Sequence, residues 1–194
     1  AQVAGPATWP DPSPLDAALA LRDADILAMV RRALDRRDVL LAFQPVVDAQ
    51  ATARVAFHEG LLRVLDETGR IIPAREFIGA CEAHETGRLL DCVALEAGLA
   101  ALADAPDMRL SINMSARSIG YAPWRRILDR AERDDPTLLE RLIVEITESS
   151  AILLPEVTQA FMADLQMKGV AFAMDDFGQG YTSFRYLRDL HFDF

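Results

Sequence analysis

The chain has 194 residues, 51% of them apolar and 26% charged, and 30 Asp plus Glu against 20 Lys plus Arg give a formal net charge of -10. This is the composition of a folded globular protein, which excludes a disordered or low-complexity chain. The acidic balance argues against a nucleic acid polymer as partner, and no apolar run approaches the roughly 18 residues of a membrane span.

The first residues, rich in Ala and Pro, read as a linker or disordered lead-in over 1–15, followed by one domain over 16–194. The chain opens on Ala1 rather than Met, so we expect an excised or processed piece. It shows no charged segment followed by an apolar run, so no secretory signal is expected. Asp16 to about Arg36 carries an apolar helical stripe of Leu19, Ile26, Val30 and Leu34. Val39–Val47 is a compact apolar run, Asp48–Ala53 a turn, and Arg54 to about Val64 a second strand, together a hairpin. Glu76 to about Ala105 reads as helix with a break near Gly87. Cys81 and Cys92 both fall in it and read as small buried residues, not as a disulfide or zinc framework. Their use fits a reducing, cytoplasmic compartment.

Strands and helices then alternate. Arg109–Met114 is a strand, Ser118 to about Arg133 mostly helix, and Arg141–Thr147 a strand. Pro155–Lys168 is a helix with Pro155 in its first turn and Gly169 at its stop. Val170–Met174 is a strand, Tyr181–Leu190 a helix, and His191–Phe194 the start of another strand. Such alternation predicts an α/β fold with a mostly parallel sheet. An open doubly wound sheet and a (β/α)8 barrel both fit. No Gly-rich phosphate loop follows the first strand, which counts against the open sheet. A closed barrel typically needs about 250 residues, so a (β/α)8 barrel lacking its C-terminal part is the expected fold.

Active sites of such folds lie at the C-terminal ends of the strands. Those ends carry Glu59, Asn113, Glu145 and the pair Asp175 and Asp176. A bare carboxylate in an apolar strand is expensive unless paired or metal-bound. Four successive strands ending this way point to an all-oxygen cage, which suits Mg²⁺ or Mn²⁺ better than Zn²⁺. Such a cage serves phosphate ester chemistry. Arg63 shares a strand face with Glu59 and is placed to grip a phosphate. Gln44 interrupts an apolar strand and calls for a polar partner. Glu148 is placed to anchor the loop Gly178–Ser183, which has the glycines and small polar residues of a mobile active-site loop. Asp175 and Asp176 point to opposite faces if both are extended. His58 faces away from Glu59 and reads as structural, and His84 and His191 carry no signal. DDFG is similar to the kinase DFG, but no strand lysine or HRD triplet accompanies it, so a kinase is excluded.

The segments FQPVVD, HEGLLR, IIPAREFI, SINMS, VEITES and AMDDFGQGYTSFRYLRDL occur in an order that resembles the EAL domain family, bacterial cyclic di-GMP phosphodiesterases. The resemblance runs from about Leu27 to Phe194. It implies a (β/α)8 barrel whose first strand is antiparallel, and metal-dependent hydrolysis of cyclic di-GMP to linear pGpG. By position it implies Glu59, Asn113, Glu145 and Asp175 as ligands of Mg²⁺ or Mn²⁺, with two ions in the active state and Asp176 beside the second. It also implies Gln44, Leu61 and Arg63 as substrate contacts and Glu148 as the loop anchor. A homodimer and an upstream sensory or cyclase module are further partners of that kind. Two departures stand out. The signature Glu-Ala-Leu reads Glu59-Gly60-Leu61. The family's water-positioning lysine and general-base Glu would follow Phe194, so residues 1–194 alone are expected to be inactive and poorly folded, with open sheet edges. Lys168 stands before the DDFG strand and does not replace that lysine. A degenerate domain that binds cyclic di-GMP without cleaving it, or a protein-interaction module, is the alternative.

Overall fold

A computed structural model describes residues 13–176 and 190–194. The expected loop Gly178–Ser183, most of the expected helix from Tyr181, and residues 1–12 of the lead-in lie outside the described residues.

Helix α1 (Pro14–Arg36) opens on a reciprocal cap. The Ser13 hydroxyl accepts from the Asp16 backbone N–H at 3.1 Å, and the Asp16 carboxylate accepts from the Ser13 N–H at 3.3 Å. Strands β1 (Val39–Asp48) and β2 (Ala51–Leu65) form the expected hairpin, paired from Val39 opposite Val64 to Asp48 opposite Ala51. The turn is therefore shorter than expected, because pairing runs through Val47 and Val55 almost to its tip. A short strand that the sequence did not reveal, β3 (Ile71–Pro73), adds to the end of β2.

Helices α2 (Ile78–Cys81) and α3 (Glu85–Asp104) replace the single broken helix, and the break falls at 82–84 rather than at Gly87. Gly87 lies inside α3, where a Cβ would meet the Cys81 carbonyl oxygen at 2.8 Å. Glycine there permits close approach of the two helices and does not end one. The cysteines thus sit on different helices, both buried and both free.

Strand β4 (Leu110–Asn113) leads through a 3-10 turn at Ala116–Ser118 to α4 (Ala122–Asp134). Then come α5 (Thr137–Arg141), β5 (Leu142–Thr147), α6 (Glu148–Leu153), α7 (Pro155–Gln166) and β6 (Ala171–Asp175). Neither α5 nor α6 was expected. Asp135 starts the first by accepting the Thr137 N–H and hydroxyl at 3.0 and 2.7 Å. Thr147 starts the second by accepting the Ser150 N–H at 3.2 Å. Gly169, with φ of +95°, closes the turn after α7 as its position predicted.

The sheet order is β1-β2-β4-β5-β6, with β3 also on β2; β2, β4, β5 and β6 run parallel and β1 is reversed. One face buries Leu110, Ile112, Leu142, Val144, Ile146 and Phe172 against α3, α4, α5 and α7. Leu62 and Val64 of β2 turn the same way, onto α1, α2 and α3. The opposite face gathers Phe57, Ile143 and Ala173 with Val46 and Ala171. Phe194 stacks beside Phe57 with ring centroids 5.2 Å apart. Asp193 donates its N–H to the Phe172 carbonyl at 2.8 Å, and Met174 donates to Phe194 at 3.1 Å, so the last residues lie along β6 where another strand was expected. Helices cover one face of the parallel strands and side chains fill the other. This is the wall of a (β/α)8-type barrel with an antiparallel first strand; a doubly wound sheet would carry helices on both faces.

Candidate active site

Alternation along the parallel strands fixes which side chains face the barrel interior. The register aligns Gln44, Glu59 and Ser111 in one row, and Asn113 with Glu145 and Ala173 in the next. Asp175 pairs with Thr147 one step beyond. The interior face is apolar at the strand starts and becomes acidic at the strand ends.

Glu59 is half-buried and accepts a hydrogen bond from the Asn113 Nδ2 at 3.2 Å. That bond orients the amide, so the Asn113 Oδ1 is left as an acceptor. Glu145 is half-buried beside them. Burial raises its carboxyl above the usual carboxylate range, and the charges of Glu59 and Asp175 push the same way; a hydrogen bond from Ser111 opposes them. Glu145 therefore lies within electrostatic reach of Glu59 and Asp175, which come from two other strands. The structure brings together four of the expected residues: Glu59, Asn113, Glu145 and Asp175.

The others are placed less centrally. Gln44 is exposed on β1 directly opposite Glu59. Leu61 is half-buried two residues beyond Glu59. Arg63 is half-buried on that face, with its Nη1 donating to the Leu62 carbonyl at 2.9 Å. Asp176 does not continue β6: its φ is +58°, and its N–H donates to the Asp175 Oδ1 at 2.9 Å. The opposite-face expectation for Asp175 and Asp176 therefore lapses, because the strand ends between them. Glu148 is 3% exposed and is the first residue of α6. Lys168 forms an ion pair with Glu132 at the start of β6, far along the strand from Asp175.

Ser111 went unremarked in the sequence. It is fully buried, faces inward between Glu59 and Ile143, and its hydroxyl donates to the His58 carbonyl at 3.5 Å. A lone serine at an inward position of an apolar strand was the available signal. Gly60, in place of the signature Ala, faces the other way; a Cβ there would meet the Ser111 carbonyl oxygen at 3.1 Å. The departure touches the outer packing and leaves Glu59 in place.

The donor set is carboxylate and amide oxygen, the chemistry of Mg²⁺ or Mn²⁺. Among the described residues, no three His, Cys, Asp or Glu are gathered tightly enough to cage an ion on their own. The groups that perturb Glu145 include two carboxylates and no cation. A divalent cation between the strand ends would turn that repulsion into attraction, so the residues fit such an ion.

A barrel wall with helices on one face and oxygen donors at the strand ends on the other defines an α/β barrel protein. The chain belongs to the EAL domain family, whose model matches residues 27–194. It is 28% identical over 169 residues to the cyclic di-GMP phosphodiesterase PdeB of Shewanella oneidensis, covering 85% of this chain and 20% of that protein. The EAL domain of FimX from Pseudomonas aeruginosa, bound to c-di-GMP, has the same fold, with a TM-score of 0.77 at 24% identity over 88% of this chain and 69% of that one. The MucR phosphodiesterase of the same organism, in a c-di-GMP complex, gives a TM-score of 0.70 at 28% identity over 87% of this chain and 70% of that one. The chain spans about a fifth to a quarter of the length of the first curated relatives it matches. Among the described residues no helix is long and apolar enough to cross a membrane.

Proposed function

We propose that the protein hydrolyses one phosphodiester bond of cyclic di-GMP, giving linear pGpG, with Mg²⁺ or Mn²⁺ as cofactor. The observation that carries this reading is the convergence of Glu59, Asn113, Glu145 and Asp175 at neighbouring strand ends. The relatives named as cyclic di-GMP phosphodiesterases supply the substrate class.

Glu59, Asn113, Glu145 and Asp175 would hold the ions, with Asp176 beside the second. Bound there, the ions supply water activation and neutralise charge on the phosphate. Asn113 gives its Nδ2 to Glu59 and keeps its Oδ1 for the ion side. Ser111, buried on the same inward face, opposes the rise of the Glu145 carboxyl. Arg63 would leave the Leu62 carbonyl to meet a phosphate oxygen, where a guanidinium fork binds well. Gln44 and Leu61 would flank the substrate's path, and Glu148 would serve as the loop anchor that the family resemblance implies. A sensory or cyclase module joined to this domain would control it, as the bifunctional name of the relative MucR illustrates.

A second reading is a receptor that binds cyclic di-GMP without cleaving it, supported by the likeness of the fold to the FimX EAL domain, whose crystal structure is bound to c-di-GMP. One experiment separates the two. The full-length protein is incubated with cyclic di-GMP and Mn²⁺, and the products are resolved chromatographically. The hydrolase reading expects pGpG from the wild type and none from Glu59→Ala. Tight binding without pGpG would establish the receptor instead, and cleavage that survives Glu59→Ala would overturn the site assignment.

A further inference from the structure

Helix α3 carries one acid among its buried apolar residues. Asp91 is 5% exposed and sits between Leu90 and Cys92, both buried. One of its oxygens, Oδ2, accepts three hydrogen bonds: from the Ser115 N–H at 3.1 Å, the Ser115 hydroxyl at 2.7 Å and the Ser118 hydroxyl at 2.6 Å. A buried carboxylate is retained only where such donors satisfy it. All three donors belong to the turn that leaves β4 immediately after Asn113. The peptide between is held as well, since Met114 donates its N–H to the Glu145 carbonyl at 2.9 Å. Asn113 is therefore followed by two fixed backbone groups, one tied to β5 and one to α3.

We infer that Asp91 is a positioning residue for the cation site, acting through Asn113. The inference rests on the hydrolase or receptor site proposed above holding a divalent ion. Asp91 touches neither ion nor substrate. It fixes the backbone exit of β4, and with it the direction of the Asn113 side chain toward Glu59. Supports that orient a ligand from behind typically change metal affinity or activity by about 10- to 100-fold when removed. The far end of the same segment has its own attachment to α3. The Tyr121 hydroxyl donates to Glu85 at 2.5 Å, and the Arg88 guanidinium lies 4.9 Å from the Tyr121 ring centre. Loss of Asp91 thus loosens the β4 exit while α4 stays docked.

The test is a Mn²⁺ titration of the full-length protein without substrate, followed calorimetrically, with circular dichroism melts on each variant. Asp91→Ala should weaken Mn²⁺ binding by about 10- to 100-fold. Asp91→Asn, which keeps an oxygen acceptor at the same place, should stay within about threefold of wild type. In an Asn113→Ala background, Asp91→Ala should add no further loss, because both changes remove the same contribution. Ser118→Ala, which deletes one donor and little volume, should give a smaller loss in the same direction and replaces Asp91→Ala if that variant does not fold. Unchanged Mn²⁺ affinity in a folded Asp91→Ala, or full additivity with Asn113→Ala, overturns the inference alone. A wild type that binds no Mn²⁺ overturns the cation site itself, and the inference with it.

Discussion

The interior face of the sheet has two ends made from the same strands. At one, Phe57, Ile143 and Ala173 close on one another with Val46 and Ala171. At the other, two residues further along the same strands, stand Glu59, Glu145 and Asp175, and burial, with the charges of Glu59 and Asp175, raises the Glu145 carboxyl. The first end is solved by packing, as a core is. The second gathers acids, and one of them, Glu145, is half-buried with its carboxyl raised. Period-two alternation keeps both ends on one face, so a single pleated wall supplies stability and chemistry in series.

The sharpest way to break that contrast is to mutate each end. Ile143→Ala should destabilise the protein by about 3 kcal/mol, the usual result of emptying a closed apolar site, with Mn²⁺ affinity unchanged. Denaturant melts paired with a Mn²⁺ titration would read both, and a stability-neutral Ile143→Ala would mean the apolar end is not a packed core. Glu145→Gln should behave oppositely. Its carboxyl is raised in the folded state, so the metal-free folded protein holds that proton more tightly than the unfolded chain. Stability is then greatest below the unfolded value and falls as pH rises through the folded value. Glu145→Gln removes that fall, so the metal-free melting temperature near neutral pH should rise, while Mn²⁺ affinity should drop by at least about tenfold. A lower metal-free melting temperature would show that Glu145 is satisfied by groups other than an ion.

A third, smaller effect extends the comparison to the helix side. Burial pushes the thiols of both Cys81 and Cys92 up to about 11. Neither should react appreciably with a thiol reagent at pH 8 until denaturant is added; prompt labelling of the native protein would show that the helix layer opens readily. The smallest effect is expected from Gly60→Ala. The added methyl reduces backbone freedom in the unfolded chain but presses the Ser111 carbonyl at 3.1 Å. These oppose each other, and the net change should be within about 1 kcal/mol, with pGpG formation or cyclic di-GMP affinity near wild type. A large loss of cyclic di-GMP affinity would mean that outer packing reaches through Ser111 to Glu145.

Strong local patterns made the main elements legible before the structure. The hairpin, the parallel strands and the helix before Gly169 follow from runs of Val, Ile and Leu with clear stops. The convergence of Glu59, Asn113, Glu145 and Asp175 follows from one rule about strand ends. What escaped was set by tertiary contact. Gly87 looks like a helix breaker, yet it is a point of close approach beneath Cys81. Helices α5 and α6 are too short for a period, and only the hydrogen bonds of Asp135 and Thr147 start them. Asp91 was visible as an acid among Leu90, Cys92 and Leu95, but its partners lie more than twenty residues away. Asp176 leaves the strand through a positive φ that no alternation rule anticipates.

The ion pair of Lys168 with Glu132 carries a practical corollary. Arginine supplies every other basic charge apart from histidine, so this stretch offers activated-ester dyes and amine-coupling surfaces a single side-chain target. That amine lies at the opening of β6, whereas Asp175 lies at its close. A fluorophore attached there would sit at the far end of β6 from the acidic rim and would leave that rim free for titration with small charged ligands.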